Sequence, residues 1–113
     1  MASLSNPTAN GAGTKAATGL VLTEAASVFI EPGHFAVEVS GGATATWKVV
    51  RTTDDPADTP TFHDFEDYLG AVSNSANRVL LGYEAVGAYY NVNVTAYTSG
   101  TLAANIKQNR ARP

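Results

Sequence analysis

The residues of this 113-residue chain that could do chemistry are two histidines, a run of carboxylates and one row of tyrosine and asparagine. A catalytic site needs convergent polar groups with matched proton affinities. His34 falls on the polar side of an alternating run and His63 follows a loop, and neither has a partner pattern near it in the chain. Both read as solvated or structural. Asp54, Asp55, Asp58, Asp64, Glu66 and Asp67 form an acidic cluster. Calcium takes several carboxylates from a flexible loop, but the spacing D-D-x-x-D is not that of an EF-hand loop, and the glycine such a loop turns on is missing. The expectation is a solvated acidic loop that meets a basic partner. G-x-S-x-G, P-loop, H-E-x-x-H and G-x-G-x-x-G patterns do not occur. The chain has no cysteine, which removes disulfides, thiolate metal sites and a cysteine nucleophile. The sequence therefore predicts no catalytic residue, no cofactor and no metal.

The row of tyrosine and asparagine lies in the run 88–98 (AYYNVNVTAYT). Tyr89, Asn91, Asn93, Thr95 and Tyr97 are expected on one side of a strand, with Tyr90, Val92, Val94 and Ala96 on the other. Tyrosine and asparagine on a flat sheet face can bind sugar by stacking and hydrogen bonding. They can equally form a subunit interface, where tyrosine is enriched. Strand propensity alone also accounts for Tyr and Thr there. The sequence leaves all three open. Asn93-Val94-Thr95 matches a glycosylation sequon, but it sits inside a strand, and no basic segment followed by a long apolar run marks a secretory signal. The sequon is discounted.

The elements that must position these residues follow from a period of two. Residues 1–17 (MASLSNPTANGAGTKAA) have no periodicity and read as an extended N-terminal arm. Short strands are expected at 19–23 (GLVLT) and 27–30 (SVFI), the second ended by Pro32-Gly33. HFAVEVS and ATATWKVVR flank Gly41-Gly42 and predict a β-hairpin. Phe35, Val37 and Val39 point one way in the first run, and Ala43, Ala45, Trp47 and Val49 share a side of the second. Residues 52–61 (TTDDPADTPT) form a loop, and 62–71 (FHDFEDYLGA) is either a turn or two of helix or an irregular edge strand. A strand at 78–84, the run 88–98, a Ser99-Gly100 turn and a return at 101–107 complete the set, the last two strands as a second hairpin. Residues 108–113 are a short basic tail. Strands of this length and spacing predict an all-β fold: a single antiparallel β-sandwich, jelly-roll or immunoglobulin-like, spanning 18–107, with Trp47 at the centre of its core.

Composition narrows the function class. The hydrophobic fraction is 44% and the charged fraction 15%, the latter well below the usual quarter. A surface covered by Thr, Ser, Asn, Ala and Gly is cheap to desolvate, because no ionised group has to leave water. A net charge of −3 offers no field to gather nucleic acid, and the longest apolar runs are far too short to span a bilayer as a helix. The expected partner is protein, with no nucleic acid and no membrane.

The stretch GHFAVEVSGGATATWKVV, residues 33–50, resembles a signature of small bacteriophage virion structural proteins: an aliphatic strand, Gly-Gly-Ala-Thr, then an alternating strand. YNVNVTAYTSGTLAANI, residues 90–106, is similar to their closing hairpin. The two stretches make up about a third of the chain, and the loop TTDDPADTPTFHDFEDY departs from the resemblance. It implies a capsid decoration or cement protein on the virion surface, made in the host cytoplasm. Its implied partners are the major capsid protein and itself, as a homotrimer. A neck, tail or fibre-base protein, or a carbohydrate-binding module using Tyr89 and Tyr97, are the alternatives. The partner-contacting residues expected on this reading are Leu4, Asn6 and Lys15 in the arm, Tyr89, Asn91, Asn93 and Tyr97 on the sheet, and Arg110 and Arg112 in the tail. The arm would cross a neighbouring subunit or pair with its edge strand.

Overall fold

Period-two alternation buries one row of each strand, and such rows need an opposing layer. The computed structural model describes residues 4–22, 27–65, 74–75 and 77–111. Its strands are β1 (Leu4–Lys15), β2 (Gly19–Leu20), β3 (Val28–Ile30), β4 (Gly33–Gly41), β5 (Thr44–Thr52), β6 (His63–Phe65), β7 (Asn74–Ser75), β8 (Arg78–Glu84), β9 (Ala88–Ser99) and β10 (Leu102–Ala111). They form two antiparallel sheets. The first has the order β1-β10-β4-β8, and the second the order β2-β9-β5-β6, with β3 also on β9 and β7 also on β5. No helix occurs among the described residues.

One core joins the sheets. Phe35, Val37, Val39, Leu80, Leu102, Ala104 and Ile106 come from the first, and Trp47, Val49, Tyr90, Val92 and Val94 from the second. Trp47 is completely buried, as its alternation predicts. At one end the Phe35 ring lies 4.6 Å from Tyr90 and 5.6 Å from Phe65. Gly82 makes room for this cluster: a Cβ there would stand 2.6 Å from the Phe35 ring.

Both expected hairpins are corrected. β4 pairs with β10 and β8, while β5 pairs with β9, β6 and β7. Gly41 and its neighbours therefore carry the chain from one sheet to the other, and the turn after β9 does the same. Each glycine and alternating run specified a reversal correctly. A reversal with two apolar rows can be closed edge to edge or face to face, and only the second buries both rows against each other. The two corners sit together: a Cβ on Gly41 would be 2.3 Å from the Thr101 carbonyl oxygen, and one on Gly100 would be 2.5 Å from that of Gly42. Both glycines have positive φ, 102° and 84°.

The segment expected as an arm is strand β1, paired in register with β10 from Gly11 opposite Ile106 to Lys15 opposite Leu102. Its lack of large side chains is a packing feature. Gly11 and Gly13 face the core so closely that a Cβ would stand 2.0 Å from Val28 Cγ2 and 2.8 Å from Leu22 Cδ2. The expected tail also belongs to the sheet as far as Ala111. Of the ambiguous run 62–71, residues 63–65 are strand β6, and 66–71 lie outside the described residues.

Candidate functional site

The described residues proposed from sequence are divided between the two sheets. Leu4 and Asn6 are in β1, where Leu4 is opposite Ala111 of β10. Lys15 ends that strand, and Arg110 lies in β10. Arg112 is outside the described residues. On β9 the predicted face breaks up. Trp47 pairs with Val94 and Thr46 with Ala96, so Thr95 is an extra residue, and a second shift separates Ala45–Tyr97 from Thr44–Ser99. Such a bulge reverses which residues point inward. Beyond it Tyr97 packs against the core and Ala96 is exposed. The Tyr97 hydroxyl donates to the Gly100 carbonyl at 2.6 Å.

Asn91 is fully buried. Its Nδ2 donates to the Leu22 carbonyl at 3.0 Å and to Ser27 Oγ at 2.8 Å, and its Oδ1 accepts from the Leu22 N–H at 3.1 Å. It fastens the connection between β2 and β3 to the sheet. Tyr89 is half-buried and packs edge-on to Phe29 at 5.1 Å. Asn93, also half-buried, stands between Lys48 and Leu20 in the register. The flat tyrosine–asparagine platform needed for sugar stacking is therefore not assembled by these five positions.

A polar cluster missed in the sequence crosses between the sheets. Glu84 at the end of β8 is 1% exposed. It accepts Arg51 Nε at 2.6 Å and Nη2 at 2.8 Å, the Tyr90 hydroxyl at 2.7 Å, and the N–H groups of Val86 and Gly87 at 2.9 Å each. The Arg51 bonds, helped by the backbone donors and Tyr90, hold the Glu84 carboxyl down at about 2 against the desolvation that opposes them. The Glu84 bond raises Arg51. Burial, then the bond to Glu84, raises the Tyr90 hydroxyl above its ordinary value. A carboxylate with both oxygens filled by five donors is a fastener between layers. The only sequence signals were an arginine and a tyrosine at inward positions of otherwise apolar rows. Gln108, also buried, acts alike: its Oε1 accepts the Glu31 N–H at 2.9 Å and its Nε2 donates to the Glu31 carbonyl at 2.7 Å.

The acidic loop is braced internally. Asp54 Oδ2 accepts the Thr61 N–H at 3.1 Å and Asp55 Oδ1 the Ala57 N–H at 3.0 Å, while Asp64 pairs with Lys48 at 2.6 Å. Among the described residues no group of three or more His, Cys, Asp or Glu is placed to hold a metal ion.

Two surface features remain. The outer face of β1, β10 and β4 carries a shallow depression of about 450 Å³ lined by Ala12, Thr14, Ser40, Ala103 and Asn105, with Glu38 beside them. Asn105 Oδ1 is buried there and has no hydrogen-bond partner among the described residues. The other feature is β8, whose outward Val79, Leu81 and Tyr83 are 58%, 60% and 58% exposed.

The chain is similar to a solved prophage protein. That structure is the SPBc2 prophage-derived protein YomS, at 12% sequence identity and a TM-score of 0.42, covering 91% of this chain and 95% of that one. At that identity and score the likeness carries no argument about function. No protein-family model matches the chain, and no curated protein matches it.

Proposed function

We propose that the protein is a non-catalytic structural component of a phage virion, a β-sandwich that decorates the head and cements it by bridging neighbouring major capsid subunits. The observation that carries this reading is the outer face of β1, β10 and β4. Its depression is lined by small side chains, and its one charged lining residue, Glu38, is already matched by Lys107 at 3.0 Å. Such a face loses little on leaving water, and a partner N–H or O–H brought to it would meet the unpaired Asn105 oxygen, given a small turn of the amide. The resemblance of residues 33–50 and 90–106 to virion proteins supports the same reading. These two stretches contain β4, most of β5 and β9, and the first half of β10, strands that build both sheets and their stacked corners.

β1 is already seated on its own sheet, so contact with a shell falls to the outer face, with the head surface as the expected location. The test is add-back of the full chain to capsids stripped of it. The wild type is expected to rebind and raise the temperature at which the shells come apart. Ala103→Arg places a long charged side chain on a half-buried outward position and Ala12→Arg on an exposed one. Each is expected to leave the fold intact and reduce rebinding by about tenfold or more, the effect of burying an unmatched charge. Full rebinding by both variants would exclude this face. Recovery of the protein only at the neck or tail of purified particles would move the role there.

A further inference from the structure

The two edges of the first sheet are built differently. An exposed sheet edge presents unpaired N–H and C=O groups, and proteins normally blunt it with proline, charge, bulges or short length. β1 is blunted: it holds Pro7, register shifts on both sides of it, and Gly11 and Gly13. Apart from one glycine, Gly82, β8 has none of these. It runs seven residues from Arg78 to Glu84 with charge only at its ends, and among the described residues it pairs with β4 alone. The large hydrophobic side chains exposed among the described residues are Phe29, Val79, Leu81, Tyr83 and Val86, and three of them make one row along β8.

We propose that β8 pairs antiparallel with β8 of a second copy, about a two-fold axis through Leu81. The 4-stranded sheets of two copies would then form one continuous sheet. An axis through a residue keeps odd positions opposite odd ones. The outward row therefore meets the outward row, and inward Leu80 and Gly82 meet each other, whichever set points its hydrogen-bonding groups at the edge. Val79 lies opposite the partner's Tyr83, and Leu81 opposite the partner's Leu81. A β-branched side chain against an aromatic one is a favourable cross-strand pair. The strand is its own complement in this register, which is the requirement for an isologous contact.

The size of the contact places it among weak, reversible ones. With a whole tyrosine at about 250 Å² and the aliphatic chains somewhat less, the row exposes roughly 350 Å² per copy. Covering half of that on each side, together with a backbone edge about 24 Å long, gives roughly 800–1,000 Å² in total, the lower end of specific interfaces. A reversible dimer with a dissociation constant of roughly 1–100 µM follows. An isologous edge closes on two copies, where the resemblance implied three. Self-pairing at β8 does not require the virion role and leaves the outer face of β1, β10 and β4 uncovered.

Sedimentation of the full chain from about 1 to 500 µM, a range that spans the expected constant, tests this. The expected result is a monomer–dimer equilibrium. Leu81→Lys sets two ammonium groups against each other on the axis and is expected to weaken it about tenfold or more. Val79→Glu and Tyr83→Lys are each expected to weaken it, and the two together in one chain to restore it, because the new carboxylate then faces the partner's new ammonium across the axis. A monomer throughout the range, a dimer indifferent to Leu81→Lys, a trimer, or a double variant no better than the singles would each overturn the pairing. Should the variants fail to fold, amide exchange of the wild type decides it: β8 amides are expected to gain protection with concentration, and unchanged exchange would overturn the proposal.

Discussion

Replacing Glu84 by glutamine keeps the volume of the inter-sheet fastener and removes its charge. Glutamine offers one accepting oxygen where the carboxylate had two, and its amide nitrogen is turned against donors: Arg51, Val86 and Gly87 all present N–H groups there. Breaking a buried charge pair from one side costs about 3–5 kcal/mol. Linkage gives an independent figure. The carboxyl sits at about 2 in the folded protein against an ordinary value of 4.5, which corresponds to about 3 kcal/mol of stability at neutral pH. The side chain is 1% exposed, so solvent screening removes little of it. A folded value below the unfolded one means this stability is present above pH 4.5 and is lost as pH falls towards 2, with about 2 kcal/mol gone by pH 3. Urea unfolding of wild type and Glu84→Gln at pH 7 and pH 3 reads both quantities. The gap is expected to be about 3 kcal/mol at pH 7, or about 10–20 °C in Tm, and to shrink to about 1 kcal/mol at pH 3. An equal gap at the two pH values would refute the ionic account of this cluster.

Tyr90→Phe removes one charge-assisted donor and is expected to cost about 1.5–3 kcal/mol at pH 7. Because the Tyr90 hydroxyl is raised in the folded state, its stabilisation holds below pH 10 and fades as pH rises beyond it. The gap between wild type and Tyr90→Phe should therefore narrow between pH 9 and 11.5 in urea titrations, and a constant gap would count against it. Asn91→Ala orphans the Leu22 N–H and carbonyl and is expected to cost about 2–3 kcal/mol, with faster amide exchange at Leu22 as the local signature. Gly11→Val cannot keep β1 seated over Val28. A loss of about 1–3 kcal/mol and loss of protection along the β1 side of β10 are expected, and an unchanged exchange pattern would show that β1 is not held as described.

Strand positions were legible because alternation is local. Phe35, Val37, Val39, Trp47 and Val49 fell where period two placed them. Sheet membership was not legible, because a glycine turn fixes a reversal and says nothing about which layer receives the returning strand. The tyrosine–asparagine row failed for a different reason. Asn91 is covered by Leu22 and Ser27 from a distant part of the chain, and one residue inserted at Thr95 changes the parity as far as Tyr97, where a second shift follows; a bulge leaves no mark in an alternating Val, Asn, Thr and Tyr sequence. Arg51, Glu84 and Tyr90 were invisible as a group because they lie on three strands in two sheets and meet only when the layers close.

The strand status of β1 constrains how this molecule can hold a neighbour. A segment rich in Ala, Asn, Gly and Thr has the composition of a free arm, and composition alone predicts that it stays unpaired until a partner supplies an edge. In this fold its own chain supplies that edge. β10 lies beside it in register from Lys15 to Asn10, and the absence of inward side chains at Gly11 and Gly13 lets it settle against Leu22 and Val28. To reach a neighbour, β1 would have to give up its pairing with β10 and uncover those two residues, so an exchanged strand must regain in the neighbour what it leaves at home. That symmetry favours no direction by itself. The proposed bridging role therefore rests on surfaces available without unfolding: the charge-balanced outer face and the unblunted edge of β8. The two can act together, since edge pairing at β8 would set the outer faces of two copies side by side in one continuous sheet, doubling the area that a flat partner meets and joining two weak contacts by avidity.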